Sequence, residues 1–145
     1  MNAVSALAAI ALPPLVLAVF VLSAWKTARG LATRRWRQPG WWAYPPVVLL
    51  GIGCGVWFVG AFSGGLDVRE ACAARGVPFD DAYRTEQWRE PSQWFPLHNK
   101  CNADYDLVPA WVNPSLVALA VLLVGCAAGA VAAAVIGRKQ SEKHD

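Results

Sequence analysis

PSLVALAVLLVGCAAGAVAAAVI, residues 114–136, contains no charged side chain in 23 positions. About 20 mainly apolar residues, rising 1.5 Å each, cover the roughly 30 Å of hydrocarbon in a bilayer. Two further stretches have the same character: residues 3–24, and residues 46–63, which begin at Pro46, a residue with no N–H to waste at a helix start. Inside a bilayer no water satisfies the backbone, so each stretch has to be helical. Asn113 is placed to cap the third helix, with Pro114 at its first helical position.

Composition agrees. Of 145 residues, 56% are hydrophobic and 16% charged, against about 25% charged in a soluble domain. The expected organisation is a transmembrane helix over 1–24, a basic cytoplasmic loop over 25–45, a second helix over 46–64, an extracytoplasmic domain over 65–112, a third helix over 113–137 and a cytoplasmic tail over 138–145. The fold class is thus an α-helical membrane protein with three transmembrane helices and a small extracytoplasmic domain.

Basic residues next to the span ends set the direction. Residues 25–45 hold Lys26, Arg29, Arg34, Arg35 and Arg37 and no acid, whereas residues 65–112 hold eight acids and five bases. The tail RKQSEKHD begins basic. Loop and tail therefore belong in the cytoplasm, and three spans require them to share a side. The N-terminus then lies outside. A cleaved signal peptide is the competing reading of the first span, but no basic segment precedes it and its apolar run is longer than the usual 7–15 residues.

Trp25, Trp36, Trp41, Trp42 and Tyr44 cluster at the cytoplasmic boundary and Trp111 marks the other. A ligand cage is one reading; an interfacial belt is the simpler one. Bases in KTARGLATRRWR lie where anionic headgroups attract each by about 1 kcal/mol, so the lipid bilayer, not nucleic acid, is the expected contact. Gly51 and Gly55 share one helix face, as do Gly125 and Gly129, and small residues at this spacing let helix backbones meet closely. The expected use is a seam between the second and third helices, with a homo-oligomer seam as the alternative. Pro13 and Pro14 read as a kink, or as a hinge, in the first span. None of the spans carries an ionisable residue at mid-depth apart from thiols, unlike most pumps and carriers.

The external 48 residues are too few for a large core. They contain Cys72 and Cys101 in an oxidising compartment, so a disulfide is expected, with free thiols or a metal site as alternatives. The bond closes a loop of about 30 residues, contributing roughly 3–4 kcal/mol in the chain-entropy picture. LDVREACAARG reads as a short helix capped by Asp67 and ended by Gly76. VPFDDAY reads as a turn, and WFPLHNKC and YDLVPAW as arms of an irregular hairpin limited by Pro96 and Pro109. His98, Cys101, Asp104 and Asp106 match no strong metal spacing, and NADYD lacks the Gly and Glu of a calcium loop. No catalytic residue and no cofactor is assigned. Cys54 and Cys126 inside the spans lack the C-x-x-C pairing of a quinone-linked thiol enzyme and read as packing residues.

Residues 72–114, with Cys72–Gly76, Phe95–Pro96–Leu97, Cys101 and DLVPAWVNP, resemble a pattern in small actinobacterial multi-pass membrane proteins with a cysteine-bridged extracytoplasmic loop. The resemblance implies a plasma-membrane location and no chemistry.

Phe79, Tyr83, Trp88, Trp94 and Phe95 are more aromatics than so small a core can bury. Trp88, Trp94 and Phe95 are therefore the expected partner surface, with packing onto the membrane or over the helix ends as the alternative. The expected function is a non-enzymatic membrane accessory protein that presents this domain to a membrane or extracytoplasmic protein. A thiol-redox enzyme using Cys72 and Cys101, and an oligomeric pore or carrier, are the competing functions. The topology makes a direct prediction: in intact cells a membrane-impermeant thiol reagent labels a cysteine placed at Ser5 or Ser92, but not one placed at Thr33 or Ser141. Labelling at Thr33 would reverse the orientation.

Overall fold

The computed structural model describes residues 3–141, with side chains for residues 10–138. The side chain of Ser5 and the tail beyond Ser141 lie outside the described residues. The chain is mostly helical: α1 (Ala3–Ala32), α2 (Tyr44–Ala61), α3 (Val68–Ala74), α4 (Asp81–Glu86), a two-stranded antiparallel hairpin of β1 (Lys100–Asn102) and β2 (Tyr105–Asp106), and α5 (Val112–Ser141). Three stretches, Ile10–Ala32, Pro39–Ala61 and Val112–Arg138, are long and apolar enough to cross a membrane. Their large side chains, such as Ile10, Leu17, Leu50, Val121 and Val124, are each more than half exposed. The chain forms two compact units, one of residues 52–120 and one of the residues on either side.

In the flanking unit, α1 runs through Pro13 and Pro14 and continues to Ala32. The first eight residues expected in the basic loop are thus helical. No strong breaker precedes Thr33, whose hydroxyl and N–H both donate to the Arg29 carbonyl, at 2.8 and 2.9 Å. Arg34 then turns the chain at φ 56°. Two 3-10 turns follow, Arg35–Arg37 and Pro39–Ala43. They are anchored by tryptophans: Trp41 Nε1 donates to the Lys26 carbonyl at 3.3 Å and Trp42 Nε1 to the Trp36 carbonyl at 2.8 Å, with the two rings edge to face at 5.1 Å.

Three glycines lie directly under aromatic rings. A Cβ on Gly30 would overlap the Trp41 ring, one on Gly51 would lie 2.6 Å from the Phe20 ring, and one on Gly129 would overlap Trp42. Gly55 and Gly125 would meet nothing within 4 Å. In the unit of residues 52–120 it is Gly53 that faces α5, its Cβ position 3.8 Å from Leu119. Gly30, Gly51 and Gly129 are shelves for aromatic rings.

The unit of residues 52–120 carries the disulfide-stapled head. Asp67 caps α3 by accepting from Arg69 N at 2.8 Å and Glu70 N at 3.4 Å, and Gly76, at φ +69°, follows it. The segment expected as a turn, VPFDDAY, instead starts a second helix. Asp80 accepts from Tyr83 N at 3.0 Å as its N-cap, and Asp81 adds negative charge to the first turn of α4. Asn113 is no cap, because α5 has already begun at Val112. Its amide instead accepts from Leu97 N at 2.9 Å and donates to Leu97 O at 3.0 Å, acting as one more strand partner for the loop.

Overpacking a fitted site costs typically about 1–3 kcal/mol. Gly30→Leu and Gly129→Leu are therefore expected to lower the folded yield of detergent-extracted protein, while Gly55→Leu behaves like the parent. Equal yields for all three, read by size-exclusion chromatography, would remove the tryptophan shelves from the account.

Candidate functional site

The head of residues 65–112 is organised by one covalent bond. Cys72 on α3 and Cys101 on β1 are joined, with Cα atoms 5.9 Å apart and neither residue exposed. Leu107 completes this core, with Val68, Ala71, Val77, Phe79 and Tyr105 against it. A second cluster of Leu97, Val108 and Val112, backed by Val56, Trp57, Ala61 and Leu116, seats the head on the ends of α2 and α5. Gly60 permits this seating, since a Cβ there would come within 2.7 Å of Leu97 and 2.9 Å of Val112.

Polar groups lock the loops that carry the site. Asp106 Oδ1 accepts from Asn99 N and Val108 N, both at 2.9 Å, and its Oδ2 pairs with His98 Nδ1 at 2.8 Å. The sequence placed His98 and Asp106 among candidate metal ligands; the structure brings them together as a hydrogen-bonded pair across the hairpin arms, while Cys101 is committed to the disulfide. Lys100 Nζ donates to Tyr83 Oη at 3.1 Å and to Glu90 Oε1 at 3.2 Å. The Tyr83 hydrogen bond holds the Lys100 ammonium above its ordinary 10.5, against the opposing cost of burial and with help from Glu90. This contribution to stability is complete below 10.5 and is lost as pH rises through the raised value. Two guanidinium groups approach the Phe79 ring, Arg69 at 4.9 Å and Arg84 at 5.7 Å, and Asp81 pairs with Arg69 at 2.6 Å.

Phe79 and Tyr83 are thus absorbed into the head. The three expected surface aromatics are not: Trp88, Trp94 and Phe95 are 62%, 79% and 52% exposed. They divide into two groups. Trp94 stacks on Trp57 of α2, centroids 5.6 Å apart and planes at 23°, and Trp57 Nε1 donates to the Trp94 carbonyl at 3.2 Å. Trp57 continues into Phe58 at 5.5 Å and Phe58 into Phe62 at 5.7 Å. Trp94 therefore belongs with a chain of rings at the end of α2, and Phe95 follows it in the sequence. Trp88 stands apart, with the Arg89 guanidinium 5.1 Å from its ring.

Beside the stacked pair lies a cleft of about 300 Å³, lined by Trp57, Trp94, Ser92, Gln93, His98 and Asn99 among others. With His98 Nδ1 held by Asp106, Nε2 is the ring nitrogen left for a visitor. The cleft offers an aromatic wall and a few hydrogen-bonding groups. Trp57 and Asn113 were missed in the sequence. Trp57 was hidden in an apolar run, and Asn113 had a more ordinary use as a cap. His98 and Asp106 are readable as cross-hairpin neighbours once the register, with Lys100 opposite Asp106, is known.

Cys54 is exposed and Cys126 half-buried, and both are free thiols.

Replacing Asp106 with Ala leaves two backbone donors and His98 without their acceptor. At about 1–3 kcal/mol for each buried donor stranded, the head's thermal midpoint is expected to fall by several degrees, while exposed Asp104→Ala changes it little. A melting curve unchanged by Asp106→Ala would show that the hairpin is held by other contacts. No protein family, curated protein or solved structure matches this chain, so the use of the head is argued from its own chemistry.

Proposed function

We propose that this chain is a non-enzymatic integral membrane accessory protein, set in the plasma membrane with its N-terminus outside and its C-terminus in the cytoplasm. It presents the disulfide-stapled head to a membrane or extracytoplasmic protein. The observation that carries the reading is that the head closes its core on Cys72, Cys101 and Leu107 and leaves Trp88 62% exposed on a braced loop. A large ring beside an arginine is a common anchor of protein contacts. The brace is the Tyr83–Lys100–Glu90 network on either side of Trp88, which lowers the entropy lost on docking.

Trp94 and Phe95 support embedding more than partner binding. Rings that gather where an apolar helix ends prefer headgroup depth, and Trp94 is stacked on such a helix. The thiol-redox alternative is disfavoured because Cys72 and Cys101 are both 0% exposed, whereas exchange needs a thiolate to reach one of the sulfurs. Gly55 and Gly125, open in this chain, keep the homo-oligomer use of the small residues in play.

The test is a pair of substitutions in the full chain. Trp88→Ala should leave the melting temperature and the Cys72–Cys101 bond intact, while proteins retained through mild-detergent purification from the native membrane are lost. Trp94→Ala should keep those partners. Partners retained by Trp88→Ala, or a head that no longer forms its disulfide, would remove the ground for this assignment.

A further inference from the structure

Between Ala3 and Gly51 the chain has five bases and no Asp or Glu. The salt bridges among the described residues all lie in the head, so these cations are compensated by no carboxylate among the described residues. Three of them converge. Lys26 and Arg29 on the last turns of α1, and Arg35 in the turn that follows, line a cup of about 520 Å³ whose aromatic walls are Trp25, Trp41 and Tyr44.

The cup is built, not incidental. Trp41 is almost fully buried, seated on the bare backbone of Gly30 and bonded to the Lys26 carbonyl. This fixes the returning turn against α1 and brings Arg35 to the same concavity as Arg29. Lys26 Nζ is steered by Tyr44, 3.3 Å from its hydroxyl and 5.1 Å from its ring centre, and Arg29 lies 5.2 Å from the Trp25 ring. Neutral partners of this kind orient a cation and leave its charge available. Two guanidinium groups and an ammonium around one space suit a phosphate, which takes forked bonds from Arg and a point charge from Lys.

The place of the cup says which phosphate. Trp25 and Lys26 directly follow the uncharged run of residues 3–24, and Val21 and Leu22, just below them on α1, are exposed. A ligand whose anionic head fills the cup would lay a hydrocarbon tail along that helix. We propose that Lys26, Arg29 and Arg35 form a binding site for the phosphodiester headgroup of an anionic glycerophospholipid. The proposal rests on the membrane-embedded reading above. Embedding is checked separately, by whether the chain leaves the membrane fraction only with detergent; if it leaves with alkali or salt, embedding fails and the site fails with it.

The site itself is tested on the full chain in mild detergent by native mass spectrometry, with phosphatidylglycerol or phosphatidylcholine added and inorganic phosphate as competitor. Phosphatidylglycerol should be retained in preference to phosphatidylcholine and survive millimolar phosphate. Arg35→Gln should lower that retention about fivefold, Arg35→Lys should restore part of it, and Arg34→Gln, which removes the same charge one residue outside the cup, should leave it unchanged. Equal losses from Arg34→Gln and Arg35→Gln would reduce the site to diffuse attraction and overturn it, as would equal retention of the two lipids. Displacement by phosphate would make the cup a free-anion site and overturn the lipid assignment. If the Gln variants fail to fold, a headgroup-photoreactive phosphatidylglycerol on the unaltered chain should cross-link within residues 25–44, and cross-links elsewhere would count against the cup.

Discussion

The chain carries more apolar surface than it can bury on itself. With 56% hydrophobic residues, its buried apolar side chains among the described residues are Trp41, Cys72, Leu97, Cys101, Leu107, Val108 and Val112. Most of the rest line three long helices and face outward. Apolar area removed from water contributes roughly 25 cal/mol per Å², and here the protein does not supply the cover. A bilayer around the three helices would supply it, which is the physical content of the membrane reading proposed above. The same shortage explains why the head is closed by a covalent bond: two small clusters cannot offset the ordering of nearly fifty residues.

Tryptophan carries much of the architecture, in two roles. Where glycine removes a side chain from a helix, a ring takes its place: Trp41 on Gly30 and Trp42 on Gly129. Each ring also uses its N–H to anchor a turn that has few helical hydrogen bonds of its own. Trp57 does the same for Trp94 in the other unit. A ring with an apolar face and one donor suits a position that is dry on one side and wet on the other. The basic turn after α1 is a shaped surface for this reason, and the proposed headgroup site depends on that shaping as much as on charge.

Helix existence was legible because each span is a long run without charge, a signal that no loop imitates. The disulfide was legible because residues 65–112 hold two cysteines and no others. Asp67 and Gly76 were legible as local punctuation around α3. Other readings failed for local or for tertiary reasons. Asp80 and Asp81 look like a turn until Asp80 is seen to cap α4. Asn113 looks like a cap until Leu97 offers it a backbone. Spacing alone put Gly51, Gly55, Gly125 and Gly129 on shared faces, but could not say what each face meets.

By itself, then, the sequence determined the class of the protein: three apolar helices, a basic loop and one bridged segment. These follow from composition and local periodicity, which act through solvent transfer and backbone hydrogen bonding and need no knowledge of partners. Only the tertiary structure decided which aromatic rings are core, which line the end of α2 and which stand free, and which three of five bases share one concavity. Those outcomes depend on contacts between residues far apart in the chain, such as Trp94 with Trp57 and Trp41 with Lys26, and no local pattern encodes the distance between them.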